Sequence, residues 1–99
     1  METYAVLRRN GWRTSRDLQE AVLRSIAAGD AMPADVRWIR SYVTSERGGS
    51  VGTFCIYQAT DPEAIRRHAG AADLPIDEIV AIADTVVHRP DPMPQGARR

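Results

Sequence analysis

Apolar and polar positions along the chain alternate between a strand period and a helix period. Thr3 to Arg9 (Thr-Tyr-Ala-Val-Leu-Arg-Arg) is short and β-prone and stops at the turn pair Asn10-Gly11, so it predicts a first strand. Thr14 or Ser15 then caps a helix, and Asp17 suits its positive N-terminal end. Leu18, Ala21, Val22, Ser25, Ile26 and Gly29 recur at helical spacing on one face, while Arg16, Gln19, Glu20 and Arg24 point away from it. Gly29-Asp30 ends this helix and Pro33 blocks its continuation. Asp35 to Thr44 and Val51 to Ala59 read as two strands, and the Ser-Glu-Arg-Gly-Gly-Ser linker makes them an antiparallel hairpin with a mobile tip.

Thr60-Asp61-Pro62-Glu63 is the clearest helix start. Asp61 can accept from free backbone N–H groups, Pro62 fits the first helical position, and Glu63 complements the dipole. Ile65, His68, Ala69 and Ala72 share one face of that second helix, and Asp73-Leu74-Pro75 ends it. Asp77 to His88 predicts a final strand. Residues 89–99 carry three of the six prolines and read as a disordered tail, leaving residues 1–88 as one domain.

The order is β-α-β-β-α-β. That is the ferredoxin-like split β-α-β pattern, an α+β fold with one four-stranded antiparallel sheet and both helices on one face. The other face is left uncovered, and its aromatic and aliphatic side chains would expose more apolar surface than a monomer tolerates. The expectation is a homodimer joined through the open faces or the edge strands.

Composition narrows the function classes. The 13 acidic and 13 basic residues balance, so no global field favours nucleic acid or an anionic membrane. All the basic residues are arginine, and the absence of lysine excludes a lysine Schiff base. A single cysteine rules out an internal disulfide and a multi-cysteine zinc site, which fits a cytoplasmic protein. No apolar run approaches the length of a membrane span. RNA binding on this fold would need stacked aromatics on the two central strands and basic surroundings, and the first strand offers only Tyr4.

Candidate chemistry gathers around the hairpin and the second helix. Trp38, Arg40 and Tyr42 alternate, which places all three on one side of their strand, where an indole, a guanidinium and a phenol could cup a ligand or meet a partner subunit. The hairpin register is open: one choice puts Cys55 and Tyr57 on the Trp38 side, the other puts Phe54, Ile56 and Gln58 there. His68 can bind nickel or zinc or move a proton near neutral pH, and it can equally be a core histidine donating to a backbone carbonyl. Cys55 is a soft potential ligand or a small buried hydrophobe. His88 borders the proline-rich tail and reads as solvated.

Val36 to Val43, Thr53 to Ala59, Glu63 to Ala69 and Asp73 to Ile79 together resemble the DUF4242 family, small bacterial ferredoxin-like proteins with a nickel-binding branch. The likeness spans roughly Thr3 to Val87. It implies a dimeric α+β fold and metal binding, with nickel as cofactor; His68 is then the first candidate ligand, and Cys55, by the softness of its thiol, a second. The short turns of that family favour the register that sets Gln58 beside Trp38, Arg40 and Tyr42. Leu7 stands where the family carries a glutamate, and the hairpin tip is longer than usual.

These readings give a cytoplasmic homodimer that binds a metal ion or a small molecule, with Trp38, Arg40, Tyr42 and Gln58 lining the ligand. The alternative is a cofactor-free enzyme of the monooxygenase, cyclase or isomerase kind. There His68 would be the general base in a cavity between two sheets, with Arg40 or Tyr42 as electrophile.

Overall fold

The computed structural model describes residues 1–94. Strand β1 (Glu2–Trp12), helix α1 (Ser15–Asp30), strands β2 (Val36–Ser45) and β3 (Val51–Ala59), helix α2 (Pro62–Ala72) and strand β4 (Glu78–Ala81) follow one another along the chain. The strands pair antiparallel in the order β2-β3-β1-β4, which is the ferredoxin-like α+β arrangement. Each helix opens on the cap its sequence provides. Thr14 accepts from the Asp17 backbone N–H at 3.1 Å, and Asp61 accepts from that of Ala64 at 2.8 Å. Asp73 ends α2 in the left-handed conformation.

Both helices cover the same face. Tyr4 and Val6 of β1 stand in register with Tyr57 and Cys55 of β3, and all four pack with Ala64 and Ile65 of α2. Ile65 is fully buried, a contribution of about 1.5–3 kcal/mol. Trp12, Leu18 and Ala21 form a second cluster under α1. The opposite face carries Leu7, Arg40, Tyr42, Phe54, Ile56 and Val80, as the alternation and the pairing require. Phe54, Tyr42 and Val80 are each about two-fifths exposed there.

Three elements depart from the sequence reading. Strand β1 continues through Asn10-Gly11 to Trp12 instead of turning, with a shift in register between Arg8 and Trp12. Asn10 takes a positive φ of 50°, and the Glu46 carboxylate holds it by accepting from its backbone N–H at 3.0 Å and from Arg9 Nε at 2.8 Å. The same contacts tie down the expected mobile tip, which closes as a single turn at Arg47–Gly49 with a 3.0 Å bond from Glu46 N–H to the Ser50 carbonyl. The final strand is four residues long and does not run to His88. Tyr4 pairs with Ala81, so residues after Ala83 pass the start of β1 and have no backbone beside them to pair with. Val86 and Val87 are accordingly exposed.

Residues 82–94 form no regular element, though Asp91 meets Arg40 and accepts from the Tyr42 hydroxyl at 2.7 Å on the open face. The rest of the expected disordered tail, residues 95–99, lies outside the described residues.

Candidate binding cleft on the helix face

A β-bulge decides where the hairpin's side chains go. Trp38 pairs with Tyr57 and Arg40 pairs with Ile56, so Ile39 is an extra residue without a partner across β3. The bulge inverts the strand's facing. Trp38 therefore lies on the helix side with Cys55 and Tyr57, whereas Arg40 and Tyr42 lie on the open side with Phe54, Ile56 and Gln58. Each of the two registers left open by the sequence holds for one half of the strand. The expected set of Trp38, Arg40, Tyr42 and Gln58 is thus split between two faces. Gln58 accepts from Arg37 at 3.2 Å, and the Tyr42 and Phe54 rings lie 6.3 Å apart.

On the helix side, α1 stands off the sheet and leaves a cleft of about 190 Å3. Its walls are Trp12 and Leu18 at one end and Trp38 and Ser41 at the other, with Ala21 and Ser25 of α1 above and Arg8, Thr53 and Cys55 of the sheet below. The lining is predominantly apolar. Small residues on α1 open the space, since Ala21 and Ser25 stand where larger side chains would fill it.

Four residues of the sheet floor are linked through hydrogen bonds in one chain. Trp38 Nε1–H donates to Ser41 Oγ at 2.8 Å, the Ser41 hydroxyl donates to Cys55 Sγ at 2.9 Å, and Arg8 NH1 donates to the same sulfur at 3.3 Å. Arg8 is only 1% exposed. Its Nε donates to the Pro75 carbonyl at 2.7 Å, and its guanidinium lies 5.9 Å from the centre of the Tyr57 ring.

His68 lies elsewhere on this face, between the two helices. Nε2–H donates to the Ser25 carbonyl at 3.0 Å, the imidazole meets the Tyr57 ring edge-on at 5.6 Å, and Nδ1 is buried without a partner. Burial lowers its pKa below the ordinary histidine value and the nearby Arg8 cation adds to this, while the Ser25 carbonyl opposes it. Burial raises the Tyr57 phenol, against the pull of the same cation. The core-histidine alternative describes this geometry. His68 lines neither the cleft nor the neighbouring groove of about 390 Å3 between the end of α1 and the start of β2. It is also on the opposite side of the sheet from Arg40 and Tyr42, so the three cannot share one catalytic cavity within a subunit.

Arg8, Thr53, Ser41 and Trp12 join the cleft without standing among the sequence candidates. For Arg8 the signal was present: Tyr4, Val6 and Arg8 alternate in phase, which puts a charge on the buried face of the first strand. Trp12 had no such signal, because the bulge after Arg8 resets the alternation.

The fold has a counterpart among known proteins. Residues 4–82 match the family of the nickel responsive protein SCO4226-like. The chain belongs to the SCO4226-like family. The crystal structure of SCO4226 from Streptomyces coelicolor A3(2) shares the fold with a TM-score of 0.69 at 19% identity, over 85% of this chain and 99% of that one. No curated protein matches.

The family description raises nickel, and this SCO4226-like chain offers a poor cage for it within one subunit. Among the described residues, no three histidine, cysteine, aspartate or glutamate side chains come together to hold an ion. The Nε2 of His68 is committed to a carbonyl, and Cys55 sits against the Arg8 guanidinium, whose charge repels a cation. Among the described residues, no helix is long and apolar enough to cross a membrane.

Proposed function

We propose that this SCO4226-like chain is a cytoplasmic, homodimeric small-molecule-binding protein whose ligand sits in the cleft between α1 and the sheet. The cleft itself is the observation that carries this. A space of about 190 Å3 lined by two tryptophans lies between α1 and the sheet beside a buried arginine. The open sheet face supports the dimer, since Tyr42, Phe54 and Val80 expose apolar surface there that a second copy would cover. Trp12 and Trp38 are the protein's two tryptophans and both line the cleft, so intrinsic fluorescence reports on its occupancy. The test is a fluorescence titration against a panel of small aromatic and branched aliphatic compounds, with ultracentrifugation for the oligomeric state. A saturable change in emission is expected. A panel without any effect on emission or melting temperature would remove this reading.

Nickel supplies the second reading. The family's nickel-responsive description and the DUF4242 resemblance favour it, and the single-subunit geometry requires that two copies pool their ligands. Melting the chelator-stripped protein against nickel, zinc, cobalt and copper tests it. Nickel at a hundred times its dissociation constant would add about 2.7 kcal/mol to the folded state, and the absence of any metal-dependent shift would remove the reading. The enzyme alternative has no comparable support, because His68 lies off the cleft.

A further inference from the structure

We propose that the cleft selects a small organic carboxylate, with Arg8 and Thr53 holding the carboxylate and the two tryptophans enclosing its apolar body. This rests on the cleft being the binding site and adds the chemical class of its occupant.

The observation behind it is a pair of polar atoms without partners, carried by two residues of the cleft floor. Arg8 NH2 and Thr53 Oγ1 are both buried and neither has a hydrogen-bond partner. The two residues stand directly opposite each other across β1 and β3 and both line the cleft, which puts their side chains side by side on one face. The Arg8 guanidinium is oriented by its neighbours. Nε is fixed on the Pro75 carbonyl and NH1 on Cys55 Sγ, which leaves NH2 as the free edge.

Arg8 also lacks a counter-charge. It enters none of the ion pairs among the described residues, which join Arg9 to Glu46, Arg40 to Asp91, Arg66 to Glu63 and Arg67 to Asp35. A buried guanidinium left in this state costs several kcal/mol, and an anion is what offsets it. Water could satisfy the unpaired N–H but would leave the charge uncompensated. A carboxylate accepts from NH2 and from the Thr53 hydroxyl and supplies the missing charge.

The walls limit the rest of the ligand. A volume of about 190 Å3 slightly exceeds the roughly 150 Å3 apolar cavity that takes up benzene. It falls below the ~300–1,000 Å3 of sites for drug-sized ligands. One ring or a short branched chain fits, and nucleotides and peptides do not. The apolar walls favour such a body over an inorganic anion, which would gain nothing from Trp12, Leu18 and Trp38.

The probes are benzoate and its neutral isostere benzamide, titrated into the whole chain at neutral pH and followed by tryptophan emission and melting temperature. Benzoate is expected to bind at least about tenfold more tightly, the margin of a charge-assisted hydrogen bond over a neutral one. Thr53→Val is expected to weaken benzoate more than benzamide, and Arg8→Met to abolish the preference. The comparison of the two probes on the unaltered protein keeps the test valid should Arg8→Met not fold. Equal affinity for both overturns the carboxylate assignment and leaves the cleft as the binding site. No response to either, alongside a response to other members of the panel, overturns it too. No response to any compound removes cleft and assignment together.

Discussion

Trp38 and Arg40 are separated by one residue on a single strand and point to opposite faces of the sheet. The unpaired Ile39 between them is the cause, since an extra residue in one strand of an antiparallel pair reverses the facing of everything after it. The consequence for assembly is specific. Trp38 belongs to the cleft and Phe54 to the open face, so substitutions at the two should act on different properties. Trp38→Ala is expected to lower stability by about 2 kcal/mol, less than a fully buried tryptophan because the side chain is 39% exposed. It should leave the oligomeric state as it is. In the homodimer proposed above, Phe54→Glu is expected to weaken association by more than tenfold, measured by analytical ultracentrifugation. A dimer lost in Trp38→Ala and kept in Phe54→Glu would put the interface on the helix side.

Gly52 of β3 lies against β1 beside the Asn10 bulge, with no room for a side chain. A Cβ there would lie 2.3 Å from the Arg8 carbonyl oxygen and 2.9 Å from Thr44 Oγ1. The first of these is backbone and has no rotamer to escape through. Gly52→Ala is therefore expected to cost at least the ~1–3 kcal/mol of an overpacked core, read from chemical denaturation. The displaced strand carries Arg8, so cleft binding should weaken with it. Wild-type stability in the variant would mean that the two strands separate more easily here than their pairing suggests.

Much of this architecture was legible in the chain and some was not, for local reasons. Asp61-Pro62-Glu63 announced α2 because a cap acts within one turn and needs no tertiary context. The order of elements followed from periods of two and 3.6 residues, which survive in a single sequence. Bulges have no such signature. Ile39 and the Asn10-Gly11 step each shift the phase by an amount that only the partner strand reveals, and both lie beside the cleft. Gly-Gly suggested a loose tip, yet the Glu46 carboxylate fastens it to Arg9 and Asn10, residues far away in sequence. The length of β4 was equally non-local, because it ends where β1 begins. The consequence for the site was substantial. A ligand set read by simple alternation joins residues from two faces and leaves out the buried arginine on the first strand.

His68 makes stability depend on pH in a direction that the structure fixes. The folded protein holds it neutral: Nε2–H donates to the Ser25 carbonyl, Nδ1 is buried with nothing to accept a proton from it, and the Arg8 cation lies nearby. Its folded pKa is therefore below that of the unfolded chain, where the value is about 6.5. Below that value the unfolded chain binds the additional proton, so stability falls as the solution is acidified. The contribution is complete above the ordinary histidine value and is lost progressively as pH drops through the lowered folded one. Glu46 acts in the same sense at lower pH. Its carboxylate is held below its ordinary value first by the bond from Arg9 and then by the Asn10 backbone N–H, so the two groups separate in a titration. Denaturant midpoints between neutrality and about pH 5 should decline in the wild type and stay nearly level in His68→Gln, whose overall stability is lower. A variant that retained the full decline would assign the proton uptake to another group and leave His68 charged in the core.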